Sequence, residues 1–398
     1  MNSFLSDKEV GTQIIIAGGG PVGLVLALAL SKKNIPVKII ESRAKGAAYP
    51  DGRALALSNG SKLILQRLGV WDALSTKVTP IETIHISQRS SLGRCKLNAS
   101  DHHMQALGYV LSYGALSETL DQHMKTMEWA NQITLINNAT VEQIELDENH
   151  ASLHVLQNER TDYYQCQLVV VADGGRSLQD IVGITRETKE YGHDALVTKV
   201  SATFAHNNVA YERFTSLGPM ALLPNGERDF SLVWTGKKSI IDPLLAMDDA
   251  AFLKQLHASF GDRVGPFLTV GKRMSFPLKL STIKTNDAKH LVIIGNAAQT
   301  MHPVAGQGFN IGLRDAWNLA ETISTTKMEE LGGKAMLNAY AKTRARDTKG
   351  GVLFTDFLVN VFSNDILGFS PVRGAALGVL EIMRPLKSLI VNKMSFGK

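Results

Sequence analysis

Three glycines at fixed spacing, Gly18, Gly20 and Gly23, follow the β-branched run Ile14 to Ala17 and precede an unbroken helical stretch, Leu24 to Lys32. Strand, glycine turn and helix in that order make a phosphate site. The first glycine permits the tight turn, the second admits a diphosphate against bare backbone, and the third lets helix and strand pack closely. A second strand, Val37 to Ile40, ends at Glu41, whose carboxylate can accept hydrogen bonds from a ribose diol. A lone glycine triplet also fits an ordinary turn; strand, helix, second strand and acid in register favour a dinucleotide.

A second constellation lies near position 300, where Gly295-Asn296-Ala297-Ala298-Gln299-Thr300-Met301-His302-Pro303-Val304-Ala305-Gly306-Gln307-Gly308-Phe309-Asn310 follows the apolar strand Leu291 to Ile294 and leads into a helix. Such a loop turns backbone N–H groups and a helix N-terminus toward a ligand, which suits an anion or an electron-rich ring. Asp173-Gly174 ends the strand Gln167 to Ala172, at the carboxyl edge where ligand sites of α/β sheets gather. The plain alternative there is a turn. Arg53 sits in the loop after the second strand, where its guanidinium either clamps a cofactor or forms a surface ion pair.

The elements that position these residues set the fold class. A chain of 398 residues exceeds one hydrophobic core, so two domains sharing a cleft are expected. With 44% hydrophobic and 20% charged residues it folds throughout. The formal charge of +5 is spread thinly, without an aromatic-interleaved basic face, so no nucleic-acid partner is expected. Cys95 and Cys166 lack metal-ligand spacing and are too few for a disulfide framework, which fits inert thiols in a reducing compartment. Residues 1–11 have no apolar signal core, and no apolar run approaches the ~18 residues of a membrane span, so a cytoplasmic location is expected.

Helical and strand patterns alternate up to Ala172: a helix carrying Leu63, Leu65 and Leu68, strands at Ile81 to Ser87, Arg94 to Leu97 and Ala151 to Val155, and a helix from Ala115 to Met124. From Val182 to Ala288 the texture reads as all-β, with strands at Thr198 to Phe204, Arg213 to Thr215, Met220 to Leu223 and Phe230 to Trp234. The expected class is α/β (α+β). A Rossmann-like domain with a parallel sheet occupies 1–78, 106–182 and 286–345, an inserted, mostly antiparallel β domain 79–105 and 183–285, and a C-terminal helical segment 346–398. A sheet laid over a nucleotide domain encloses a cleft, and Met220, Leu222 and Trp234 are candidates for its substrate wall, against the commoner fate of such a stripe as core. The last thirty residues interleave Arg373, Arg384, Lys387 and Lys393 with Met383, Leu386, Leu389 and Ile390. That segment reads as a helix docked on the body, or as one lying on anionic lipid at the inner membrane.

In order, Gly18-x-Gly20-x-x-Gly23 with Glu41, then Arg53, then Asp173-Gly174, then Gly295-Asn296 through Gly306-Gln307-Gly308 and Asn310 resemble the FAD-dependent aromatic hydroxylases of the p-hydroxybenzoate hydroxylase type, over essentially the whole chain. Most members carry Asp and His where this chain has Asn296 and Gln299. That version, with Thr300-Met301-His302-Pro303, Arg213-Phe214-Thr215, Gly218-Pro219 and Ala221-Leu222-Leu223-Pro224, resembles the ubiquinone-biosynthesis branch, most nearly the 2-polyprenyl-6-methoxyphenol hydroxylases.

The resemblance implies non-covalent FAD, O₂ as co-substrate, and NADPH, NADH or a protein electron donor as reductant. It implies a flavin C4a-hydroperoxide attacked by the ring of a lipophilic phenol, with other quinone-biosynthesis proteins and the membrane surface as partners. Asn296 takes the place of an aspartate that hydrogen-bonds the ribityl chain, without its charge. His302 and Pro303 fall beside the isoalloxazine, and the helix start at Gly306 to Gly308 aims its positive end at the edge charged on reduction. Gly114 stands near where many relatives place a side chain against FAD. No catalytic base is assigned. The alternatives are a hydroxylase for another ring position or a soluble aromatic, a flavin-binding assembly component, and an NAD-dependent dehydrogenase, which leaves the two later motifs unexplained.

Overall fold

The computed structural model describes residues 13–89, 93–126, 130–178, 181, 183–215, 217–285, 288–300, 307–345, 378 and 380–396. The chain begins with β1 (Ile14–Ala17), α1 (Pro21–Ser31), β2 (Val37–Glu41), β3 (Ala54–Ser58), α2 (Asn59–Arg67), α3 (Trp71–Ser75), β4 (Thr79–Ile81), β5 (Thr83–Gln88) and β6 (Arg94–Asn98). It continues through β7 (Gly108–Ser112), α4 (Tyr113–Thr126), β8 (Ile133–Asn137), β9 (Ala139–Leu146), β10 (Ala151–Gln157), β11 (Arg160–Cys166) and β12 (Leu168–Val171).

Next come β13 (Ile184–Ala202), β14 (Val209–Thr215), β15 (Gly218–Pro224), β16 (Asp229–Lys237), α5 (Lys238–Ala246), α6 (Asp249–Phe260), β17 (Phe267–Val270) and β18 (Met274–Thr285). The rest comprises β19 (Leu291–Ile293), β20 (Gln299–Thr300), α7 (Gln307–Ser324), α8 (334–345) and α9 (Arg384–Phe396).

β1, β2, β8, β12 and β19 form a parallel sheet in the order β19-β12-β1-β2-β8. The central strands are apolar throughout because both faces are covered, as a parallel sheet requires. Ile14 and Ile16 pack beneath α1 and α7 through Leu26, Leu30 and Leu319. Ile15, Val169 and Val171 pack on the antiparallel meander β9-β10-β11 through Leu153 and Val155.

The large second sheet runs β20-β18-β13-β16-β15-β14-β5-β6, with β17 paired to β13. β5 and β6 thus join strands more than a hundred residues downstream, and β20 ties the late glycine loop to the same sheet. The all-β expectation for 182–288 needs correction, since α5 and α6 cover one face of this sheet. Asp248 caps α6 by accepting from the Ala251 N–H at 2.8 Å, and Phe252, Leu256 and Phe260, spaced four apart, turn one apolar stripe inward. β13 is also longer than expected; its first half is charged and mostly exposed, so no apolar alternation betrays it, and pairing with β18 defines it.

α9 docks through Val391 onto Cys95, Leu97 and Leu107, whereas Leu389 on its outer side is 65% exposed and Ile382, just before the helix, 81% exposed. Arg373 lies outside the described residues. No helix among the described residues is long and apolar enough to cross a membrane. Cys95 and Cys166 are free and buried, and burial pushes both thiols up to about 12.

Candidate functional site

The carboxyl ends of β1, β2, β12 and β19 open onto one cleft of about 280 Å³. Its wall brings together Gly18, Gly20, Glu41, Arg53, Asp173, Gly174, Gly295, Asn296 and Gly308, so most of the residues singled out in sequence converge. Gly23 lies behind the wall. A Cβ there would come within 2.0 Å of the Gly18 carbonyl oxygen, which leaves only glycine room for the helix against the turn. Gly18 itself has φ +112°, and a Cβ on it would meet the Ala172 carbonyl carbon at 2.7 Å. The early and late loops touch through Val22, which packs against Gly295 and Gly312 so closely that a Cβ on either would stand 3.2 or 3.0 Å from it.

The electrostatics suit a diphosphate. α1 starts on Gly20 with Pro21 at its first turn, without a side-chain cap or an acidic residue, so its first N–H groups and its positive end are left for a ligand at the cleft. Glu41, 8% exposed, accepts from the Gly19 N–H at 2.7 Å and from the Arg43 Nε at 2.8 Å. Burial alone would raise its pKa, but the hydrogen bonds and charge of Arg43 outweigh it and hold the carboxyl below the ordinary range.

Arg53 combines both roles open to it. It pairs with Asp51 at 2.5 Å, lies over the Tyr113 ring at 5.2 Å, and forms part of the cleft wall. Asp173 uses its carboxylate to hold the turn that follows, accepting from the N–H groups of Gly175 at 2.8 Å and Ser177 at 2.9 Å. Gly114 has a structural reason: a Cβ would stand 2.1 Å from the Tyr49 carbonyl oxygen, so glycine lets α4 approach the loop that carries Asp51 and Arg53.

Two expectations are corrected. Asn310 is 1% exposed and turned from the cleft. Its carbonyl oxygen accepts from the Ser58 N–H at 2.8 Å and the Ser61 hydroxyl at 2.6 Å, while its amide donates to the Ala56 carbonyl at 2.8 Å. It ties α7 to β3 and α2. Met220, Leu222 and Trp234 have no exposed surface; they pack on α5 and α6 in the core under the large sheet, not on a substrate wall. Pro303, Gly306 and His302 lie outside the described residues, and Gln307 is described only as the backbone that opens α7.

The sequence reading passed over Arg43, Tyr113, Arg176 and Phe309, all of which line the cleft. Their signal was positional: each follows a strand end or opens a helix, the places where α/β ligand sites collect.

Residues 11–354 match the FAD binding domain family. Over 390 residues the chain is 33% identical to the ubiquinone hydroxylase UbiL of Rhodospirillum rubrum, covering 95% of this chain and 88% of that protein. It is 28% identical to the 3-demethoxyubiquinol 3-hydroxylase of Escherichia coli over 385 residues, 94% and 96% of the two chains. In fold it is similar to the p-nitrophenol 4-monooxygenase PnpA from Pseudomonas putida DLL-E4, with a TM-score of 0.78 at 17% identity over 97% of this chain and 98% of that one. A Rossmann-type cleft framed by two glycine loops, with these relatives along nearly its whole length, identifies the chain as a member of the FAD binding domain family and an FAD-dependent monooxygenase.

Proposed function

We propose that this enzyme hydroxylates the ring of a polyprenylated phenol in ubiquinone biosynthesis. The observation that carries the reading is the meeting of the early and late glycine loops on one cleft, in a chain whose relatives are named for ubiquinone and demethoxyubiquinol hydroxylation. FAD, when bound, activates O₂ with electrons from NADPH, NADH or an electron-donating protein. The chain binds, orients and excludes water. The uncapped first turn of α1, with Gly18 and Gly20, holds the diphosphate, with Gly23 packing behind it. Glu41 receives the ribose, and Arg53 and Asp173 flank the middle of the cofactor. Gly295, Asn296 and Gly308 approach its redox end, with Pro303, Gly306 and Gln307 completing that end by their place in the motif.

On this reading residues 1–78, 106–182 and 286–345 form the FAD-binding domain, 79–105 and 183–285 the substrate domain, and 346–398 the C-terminal helices. The exposed row Ile382, Met383, Leu386 and Leu389 on and just before α9, with Arg384 beside it, is the surface assigned to the inner membrane, where a prenylated substrate resides. Deletion of the gene in its host tests the function. Accumulation of a prenylated phenol lacking one ring hydroxyl, restored by the gene, is expected; unaltered quinone content sinks the reading. A precursor blocked at another ring position reassigns the regiochemistry.

A further inference from the structure

The strands β5, β14 and β15 turn alternate residues toward the nucleotide-binding body. Ala210 and Leu223 pack there on Ala54, Ile81 and Val110, and residues two apart on a strand share a face. Glu212 stands one such step beyond Ala210, about 7 Å along β14, directly opposite Ile86 on β5 and Ala221 on β15. Its neighbours on this face, Ile84, Ile86, Phe214, Pro219 and Ala221, carry no charge. Nor do Gln88 and Leu223 at the margins or Ala54, Ile81 and Val110 across the contact; the charges that α9 brings to this face are Lys387 and, just before the helix, Glu381, which lie by Cys95 beside Ile86.

The Glu212 carboxylate has no hydrogen-bond or ion-pair partner among the described residues. Glu212 as a residue is half-buried, neither sealed in the core nor open to solvent. Burial, with no compensating charge, pushes its pKa up to about 8. A lone acid in an apolar wall costs stability unless something supplies the missing partner.

We propose that Glu212 receives the hydroxyl of the phenolic substrate and takes its proton. The inference rests on the phenol reading above. In this step the phenolic O–H bond breaks, the proton passes to a carboxylate oxygen of Glu212, and the electron pair stays on the phenolic oxygen, shared with the ring. The ortho and para carbons become better nucleophiles for the incoming oxygen atom, which O₂ and the reductant of the flavoenzyme supply. An acid near 8 is far better matched than an ordinary carboxyl to a phenol, whose usual value is about 10. Glu212 is therefore a catalytic residue that sequence motifs did not reveal, one position before the Arg213-Phe214-Thr215 run.

FAD-loaded wild type, Glu212→Gln and Ala221→Leu are titrated with 2-methoxyphenol and with its O-methyl ether, 1,2-dimethoxybenzene, through the flavin absorbance. Hydroxylation of 2-methoxyphenol is followed across pH. The wild type is expected to bind the phenol about tenfold or more tightly than the ether, as a charge-assisted hydrogen bond allows, and its rate is expected to rise with pH through about 8. Glu212→Gln should erase both the preference and the rising limb, and Ala221→Leu, which fills the wall opposite without touching the charge, should weaken binding of both ligands. A Gln variant that keeps the preference and the limb overturns the proposal, as does an Ala221→Leu variant that binds unchanged or a wild type that binds neither ligand. A Glu212-dependent preference without ring-hydroxylated product from any phenol would leave the contact standing and sink the hydroxylation reading instead.

Discussion

The two faces of the large sheet are built from the same strands yet serve different ends. On one face Met220, Leu222, Phe230, Leu232 and Trp234 meet Phe252, Leu256 and Phe260 from α6, all without exposed surface. On the other, their immediate neighbours Ala221, Leu223 and Val233 are partly buried, small or aliphatic, and share their face with Glu212, which has no partner among the described residues. Large rings on the helix side give the sheet its stability, whereas the other face turns partly buried residues toward the nucleotide-binding body. Bulk in a strand therefore marks core, and the informative residue is the polar one among small neighbours.

Truncations should separate the faces. Trp234→Ala is expected to cost about 3–5 kcal/mol in denaturant unfolding, with FAD affinity unchanged in the molecules that remain folded; lost phenol binding at unaltered stability would break the comparison. Adjacent residues on β15 sharpen it. Leu222→Ala should destabilise by about 2–5 kcal/mol, and Leu223→Ala by clearly less while raising the KM for the phenol more. Equal stability losses would mean that the faces are not distinct in packing.

The faces also differ in pH dependence, with opposite signs. His85 on β5 stacks near Tyr211 on the helix side, and burial, aided by Arg263 and Lys96, holds its pKa down at about 4. Between its ordinary value of 6.5 and about 4 the unfolded chain binds a proton that the folded chain refuses, so stability falls as pH drops through that window. Glu212 does the reverse. Its folded pKa is raised from 4.5 to about 8, so its contribution is full below 4.5 and is lost as pH rises through about 8. Melting temperatures across pH should show both limbs, with Glu212→Gln removing only the alkaline one and His85→Leu only the acid one. A single variant that altered both would show the faces to be electrostatically coupled.

The cleft was largely legible because its makers act locally. Glycine spacing, the strand before it and the acid after it specify backbone shapes within a few dozen residues, and Gly18, Gly20, Glu41, Gly295 and Gly308 all reach the same wall. Asn310 was misread because a motif position does not say which way a helical side chain points; its amide is held by β3 and α2, some 250 residues away in the chain. Helix α6 carried its own signal in the Asp248 cap and the Phe252, Leu256, Phe260 spacing, which the strand-rich surroundings obscured. The first half of β13 carried none, since both its faces are wet.

By itself the sequence determined the nucleotide unit, the order of its motifs and the existence of a strand-rich insertion, all properties of local periodicity and of glycine's missing side chain. Which face of the inserted strands meets the nucleotide-binding body was decided only in three dimensions. A period of two divides a strand into two sets of side chains without naming either as the inner one. The choice falls to α5 and α6 on one side and to β3, β4, β7 and α9 on the other, and those contacts, made far apart in the chain, are what turn the Glu212 face toward the nucleotide-binding body.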